Sequence, residues 1–167
     1  MMTAEGWSEH AALYVRHAAG MTRPYSHYLA VALASDFPAG DARVLETAAG
    51  GGDASIMLAK LLGPRAKITA TDYAPGMVAE CAQAAAAAAV DLQCLVADVS
   101  ELPFEAGSFE AVVSNFGMLI LADRPRLIAE ALRVLRPGLS LSLSLSLSRK
   151  HTDTHRHTQT HTDTHRH

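Results

Sequence analysis

A chain of 167 residues, 49% hydrophobic and 19% charged, is long enough for one domain with a sizeable core and too apolar for a disordered one. A formal net charge of −3 gives no electrostatic case for nucleic acid, and no stretch approaches the roughly 18 to 20 apolar residues of a membrane span. Cys81 and Cys94 have neither metal-ligand spacing nor the pattern of a disulfide framework, so they read as small reduced residues of a cytoplasmic protein.

The N-terminus, MMTAEGWSEHAALYVRHAAG, has early acids and no long apolar run, which argues against a signal peptide. WSEHAALYVRHAAG and RPYSHYLAVALASD carry apolar residues at three- and four-residue steps and predict one or two helices, with Pro24 at a helix start. RVLETAA is a short apolar run ending in glycine and predicts a buried strand. DASIMLAKLLG predicts a helix stopped by Gly63-Pro64. AKITATD is a second strand closed by Asp72, and APGMVAECAQAAAAAAV is an alanine-rich helix with Pro75 in its first turn.

LQCLVAD predicts a third strand that ends at Asp98. SELPFEAGS is a polar loop, FEAVVSNFG a fourth strand, and RPRLIAEALRVLRPG a helix ended by Pro137-Gly138. Strands alternating with helices imply a parallel sheet with right-handed crossovers, a doubly wound α/β fold.

The remainder differs in composition. Leu139 to Ser148 is Leu-Ser five times over, strand-like in period and placed where a fifth strand would pair beside the fourth, with an open far edge. Residues 151–167 hold six of the nine histidines and no apolar residue, so they cannot bury enough surface to order. A His/Asp tract can bind zinc or nickel, but translated simple-repeat DNA explains both tracts with one cause, and no metal site is expected. The expected organisation is a cofactor-binding domain over 1–138 and a low-complexity, disordered tail over 139–167. Residues 1–148 carry ten basic and fifteen acidic residues, so the part expected to fold is mildly acidic.

VLETAAGGGDAS places a carboxylate, Glu46, directly before the loop Ala48, Ala49, Gly50, Gly51, Gly52. In a doubly wound sheet ligands bind beyond the carboxyl ends of the strands, and glycines let a ligand approach the backbone. A pyrophosphate against this turn would be repelled by Glu46, whereas a cationic ligand would be attracted. The spacing also fits poorly with G-x-G-x-x-G, since aligning Ala48 and Gly50 puts Asp53 at the third position. Asp72 stands where a carboxylate can accept from ribose hydroxyls, and Asp98 where one can accept from an adenine amino group. Each acid alone would more often be a cap or turn residue, but three at successive strand ends exceed what capping explains.

VLETAAGGG, ITATDYAPGMV, LVADVSELPFEAGSFEAVVSNFG and EALRVLRPG together resemble the successive motifs of class I S-adenosylmethionine-dependent methyltransferases, with the small-molecule subgroup of ubiquinone and menaquinone biosynthesis nearest. The resemblance covers about residues 40 to 138 and implies S-adenosyl-L-methionine as cofactor and methyl transfer to a small molecule by direct displacement. It implies that Glu46 and the backbone of Ala48 to Gly52 hold the methionine part. It further implies that Asp72 binds the ribose, that Tyr73 lies against the adenine, and that Asp98 and the Val99 N–H meet the adenine edge. Asn115 would line the floor near the ammonium and the methyl group, with Tyr14 a weaker lid candidate.

Three departures stand out. Ala48 replaces the usual first glycine, Glu110 stands for the usual aspartate at a strand start with little expected consequence, and Leu139 follows Pro137-Gly138 where a second glycine is usual. The family's later strands are not recognisable, so the chain is expected to be C-terminally truncated. His10, His17 and His27, the histidines outside the tail, read as surface residues rather than bases, and no catalytic residue is assigned. Two other readings are a truncated or misassigned product that binds the cofactor without catalysis, and a nucleotide-binding oxidoreductase, which Glu46 and the glycine spacing disfavour.

Overall fold

The computed structural model describes residues 2–37, 41–117 and 123–144. Three helices come first: α1 (Ala4–Glu9), α2 (Ala11–His17) and α3 (Ala19–Ala34). Then follow β1 (Arg43–Thr47), α4 (Asp53–Leu62), β2 (Lys67–Asp72), α5 (Pro75–Ala87), β3 (Leu92–Val96), β4 (Phe109–Asn115), α6 (Arg124–Val134) and β5 (Leu135–Ser144). The five strands form one sheet in the order β3-β2-β1-β4-β5, with every neighbouring pair parallel. This is the doubly wound architecture that the alternation of strands and helices predicts, and the alternating Leu-Ser stretch, as far as Ser144, does pair beside β4.

The middle strands β1, β2 and β4 are buried on both faces, which is why they read as near-continuous apolar runs rather than alternating ones. Val44, Ile68, Ala111 and Val113 meet Leu29 and Leu33 of α3 and Leu58 and Leu62 of α4 on one face. Leu45 and Val112 meet Ala131 and Val134 of α6 on the other. Phe109 joins this second group because the register of β4 against β5 shifts between Phe109 and Ala111.

Four boundaries differ from expectation. The N-terminal segment makes three helices, and Pro24 lies inside α3 instead of starting a helix. The helix reaches back to Ala19 because Ala19 is buried with Ser26, Leu29, Ala30 and Leu33 along one face. α6 ends at Val134, and Pro137-Gly138 falls within β5 instead of stopping the helix. Leu135 is already buried opposite Phe109, so packing ends the helix before its proline does. Asp98 lies two residues beyond β3 rather than at its last position.

Glu110 also has a consequence that its place at a strand start hid. Its carboxylate accepts from the Arg43 backbone N–H at 2.7 Å and from Arg43 Nη2 at 3.0 Å, and Arg136 Nη1 stands 2.8 Å away. One side chain thus clamps β1, β4 and β5 at their entry end. Of the disordered tail expected over 139–167, residues 139–144 instead continue β5, and the rest, with its six histidines, lies outside the described residues.

Candidate functional site

Strand order reverses between β1 and β4, and the crevice beyond the carboxyl ends of these strands is where such a sheet receives a ligand. The loop of residues 48–52 turns there, with Ala48, Gly50 and Gly52 all at positive φ (51°, 55° and 79°). Glycine adopts that region freely, and alanine does so at a cost of about 1–2 kcal/mol, so Ala48 carries strain that a glycine would not. The loop is stitched to the end of β2: Ala49 N–H donates to the Thr71 carbonyl at 2.9 Å and Gly50 N–H to Asp72 Oδ2 at 2.9 Å.

Asp72 is buried, and its other oxygen accepts from the Ala74 N–H at 3.0 Å, which caps the start of α5. Burial pushes its carboxyl pKa up, against the lowering effect of those N–H bonds. Glu46 is deeper still. Its Oε2 accepts from Ser55 N–H at 2.8 Å and from the Ser55 hydroxyl at 2.5 Å, in the first turn of α4. Burial raises its pKa to about 7, although both Ser55 bonds pull the other way.

A cavity of about 300 Å³ opens over these strand ends. Of the residues named from sequence, Ala48, Gly50, Asp72, Tyr73, Asp98, Val99 and Asn115 line it. A smaller recess of about 40 Å³ adjoins it and is lined by Glu46, Ala49 and Gly51, among others. Ala48, Gly50, Asn115 and Tyr14 border both. Gly52 lines neither; it is buried under the loop, where a Cβ would stand 2.3 Å from Cys81 Sγ.

Asp98 is exposed and holds a local turn, its Oδ1 accepting from both the N–H and the hydroxyl of Ser100 at 2.8 Å. The Tyr73 ring faces the cavity while its hydroxyl donates to the Met2 carbonyl at 2.9 Å. Asn115 Nδ2 donates to Ser26 Oγ at 2.6 Å, which leaves Asn115 Oδ1 buried and without a partner among the described residues. A buried acceptor of this kind costs free energy unless a donor meets it. His10, His17 and His27 are exposed and line neither space.

The sequence reading missed the other walls. Trp7, Met77, Phe116 and Gly117 also line the main cavity. Trp7 packs edge-on to Tyr14 at 5.6 Å, and Tyr25 of α3 packs edge-on to Phe116 at 5.2 Å. The N-terminal helices therefore form a wall of the site rather than a separate unit. Glycines let them approach: a Cβ on Gly76 would meet the Ser8 backbone at 2.6 Å, and one on Gly51 would meet Val15 Cγ2 at 2.8 Å. Pro75 marks this helix start in the sequence, but nothing in the sequence around Gly76 names α1 as its partner.

The segment that follows Val99 is held from α6. Glu130 accepts from Leu102 N–H at 2.8 Å, and Arg133 donates to the carbonyls of Leu102 and Phe104 at 3.0 Å and 2.8 Å. Among the described residues no group of three or more His, Cys, Asp or Glu is placed to hold a metal ion, and no helix is long and apolar enough to cross a membrane.

The model of the methyltransferase domain family matches residues 44–138. The demethylmenaquinone methyltransferase of Thermus thermophilus is 40% identical over 96 residues, which are 58% of this chain and 43% of that protein. The protein of the same name from Staphylococcus aureus is 33% identical over 96 residues, 58% of this chain and 39% of that one. The chain thus spans about two fifths of the length of these curated relatives. Among solved structures, a candidate S-adenosyl-L-methionine-dependent methyltransferase of Methanococcus maripaludis superposes with a TM-score of 0.74 at 20% identity, over 86% of this chain and 64% of that one, and shows the fold.

Proposed function

The chain belongs to the methyltransferase domain family, and from that membership we propose that it binds S-adenosyl-L-methionine and transfers its methyl group to a small apolar ring compound. The observation that carries the cofactor reading is the pairing of two acceptors beside the glycine loop, the orphaned Asn115 Oδ1 and the carboxylate of Glu46. Both suit a cationic ligand and neither suits a pyrophosphate. The oxidoreductase reading loses on this count and on the family match.

In this reading Glu46, Asn115 and the backbone of Ala48 to Gly51 hold the ammonium-bearing end, while Gly52 shapes the loop from below. Asp72 accepts from the ribose through the lone pairs that Gly50 and Ala74 leave, Tyr73 supports the adenine, and Asp98 and Val99 meet its edge. The bound cofactor supplies an electrophilic methyl group for direct displacement. The chain's own part is to orient and to exclude water: Trp7, Tyr14 and Phe116 close the apolar side of the cavity, against which a ring can stack. No histidine among the described residues lines the cavity, so an acceptor that must lose a proton meets no imidazole base there.

The demethylmenaquinone of the relatives' names is the natural first acceptor to try, in its reduced form, and residues 1–138 are proposed as the cofactor-binding unit. A cytoplasmic setting, which keeps both thiols reduced, belongs to the same proposal. Calorimetric titration of the chain with S-adenosylmethionine, its demethylated product and NAD tests the cofactor reading. Binding of the first two and not of NAD is expected; binding of NAD alone would overturn it. Transfer of a labelled methyl group to the reduced quinone then tests the acceptor.

A further inference from the structure

Cys81 lies on α5 and Cys94 on β3, and their sulfurs stand 3.4 Å apart with no bond between them. Cys81 is buried, while Cys94 is partly open to solvent. The Cys81 sulfur is also the atom on which the cofactor loop rests: it occupies the space that a Gly52 Cβ would need. Gly52 in turn is the residue that turns the loop into α4, and its carbonyl accepts the Ile56 N–H at 2.9 Å.

We propose that Cys81 and Cys94 form a disulfide on oxidation, a modification site that loosens the loop of residues 48–52 and so weakens ligand binding there. The bond needs a sulfur separation of about 2.05 Å, so the pair must close by more than 1 Å. A Cys81 sulfur that swings toward β3 leaves Gly52 without its support. The effect on the cofactor rests on the methyltransferase reading above; the effect on the loop does not.

The co-reactant is a low-molecular-weight disulfide such as oxidised glutathione. Cys94, the accessible thiol, gives up its proton and attacks one sulfur of that disulfide, which releases one external thiolate to take the proton. Cys81 then attacks Cys94 Sγ, the mixed disulfide breaks, and the second external thiolate takes the Cys81 proton. Two thiols become one internal S–S bond, and the oxidant leaves as two thiols with the two electrons. Burial raises the Cys81 thiol pKa, which favours Cys94 as the first attacker.

The test equilibrates the full chain with reduced and oxidised glutathione, followed by alkylation, peptide mass mapping and amide hydrogen exchange. The expected result is a linked pair of peptides containing Cys81 and Cys94, faster exchange at the amides of residues 48–55, and an affinity for S-adenosylmethionine at least fivefold lower, all restored by dithiothreitol. Cys94→Ser should show neither the linkage nor the change in exchange. Glutathione adducts alone, dimers linked between chains, or a linkage that leaves loop exchange unchanged would each overturn the proposal. If the reduced chain binds no S-adenosylmethionine, the cofactor reading fails, and the exchange data alone decide on the switch.

Discussion

Glu46 and Ser55 are bonded twice, by the N–H and by the hydroxyl of the serine, so the last acid of β1's buried run caps the helix that the glycine loop feeds. The residue that argued for a cationic ligand therefore also holds the loop's exit. Both roles put a titrating carboxyl in the core.

Its pKa of about 7 makes a pH prediction with a definite sign. Above the unfolded value near 4.5 the unfolded chain releases this proton while the folded chain keeps it, so stability falls as pH rises, until the folded group ionises near 7. Relative to Glu46→Gln, which lacks that limb, the natural chain should lose about 3 kcal/mol between pH 4 and pH 8. Denaturant unfolding of both chains across that range measures it; parallel profiles would show that Glu46 does not titrate there. Affinity for S-adenosylmethionine should move the opposite way, rising toward pH 8 as the carboxylate forms.

Asn115 gives a second prediction. Removing a buried acceptor that meets a charged donor costs about 1.5–3 kcal/mol, so Asn115→Ala should weaken S-adenosylmethionine by about tenfold or more. Ser26→Ala removes only the hydroxyl that orients the amide and should cost less. Calorimetry on the three chains gives the ranking; equal affinities would remove Asn115 from the site.

Gly76→Ala sets two effects against each other. Alanine is favoured over glycine inside a helix by up to about 1 kcal/mol, but its Cβ would meet the Ser8 backbone at 2.6 Å. Backbone cannot give way as a side-chain tip can, so α1 should lift from α5. Trp7, the single tryptophan, sits in the cavity wall and reports this directly. A red-shifted emission and a several-fold weaker cofactor are expected, with thermal stability little changed. Unshifted emission would mean that α1 tolerates the methyl group.

Glu110→Ala tests the clamp at the other end of the sheet. Burial pushes the Glu110 carboxyl up, but the bonds from Arg43 outweigh it and leave its pKa below the usual glutamate range. Both arginines are about half exposed, which discounts the ion pairs, so a loss of about 1–2 kcal/mol is expected. Part of that loss should vanish in acid, where the natural chain protonates. Cofactor affinity should not change, and a change would mean that the clamp reaches the site.

What the sequence determined by itself was the order of strands and helices and the acids at the strand ends. Both are local: apolar runs bounded by glycine and proline report an element, and a carboxylate beside a glycine loop reports its charge, whatever lies across the sheet. Ala48, Gly50, Asp72 and Asp98 could be named this way, Tyr73, Val99 and Asn115 only through the family resemblance, and all seven line one cavity. Only the tertiary structure decided what those residues touch. Pro24 sits inside α3 and Pro137 inside β5 because burial of Ala19 and of Leu135 outweighs their local signals. Ser26 reaches Asn115 across 89 positions and Ser8 reaches Gly76 across 68, and no spacing rule encodes such a pairing. The same holds for the Cys81 sulfur under Gly52: its place follows from how α5 lies on the sheet, a matter of shape rather than of neighbouring letters.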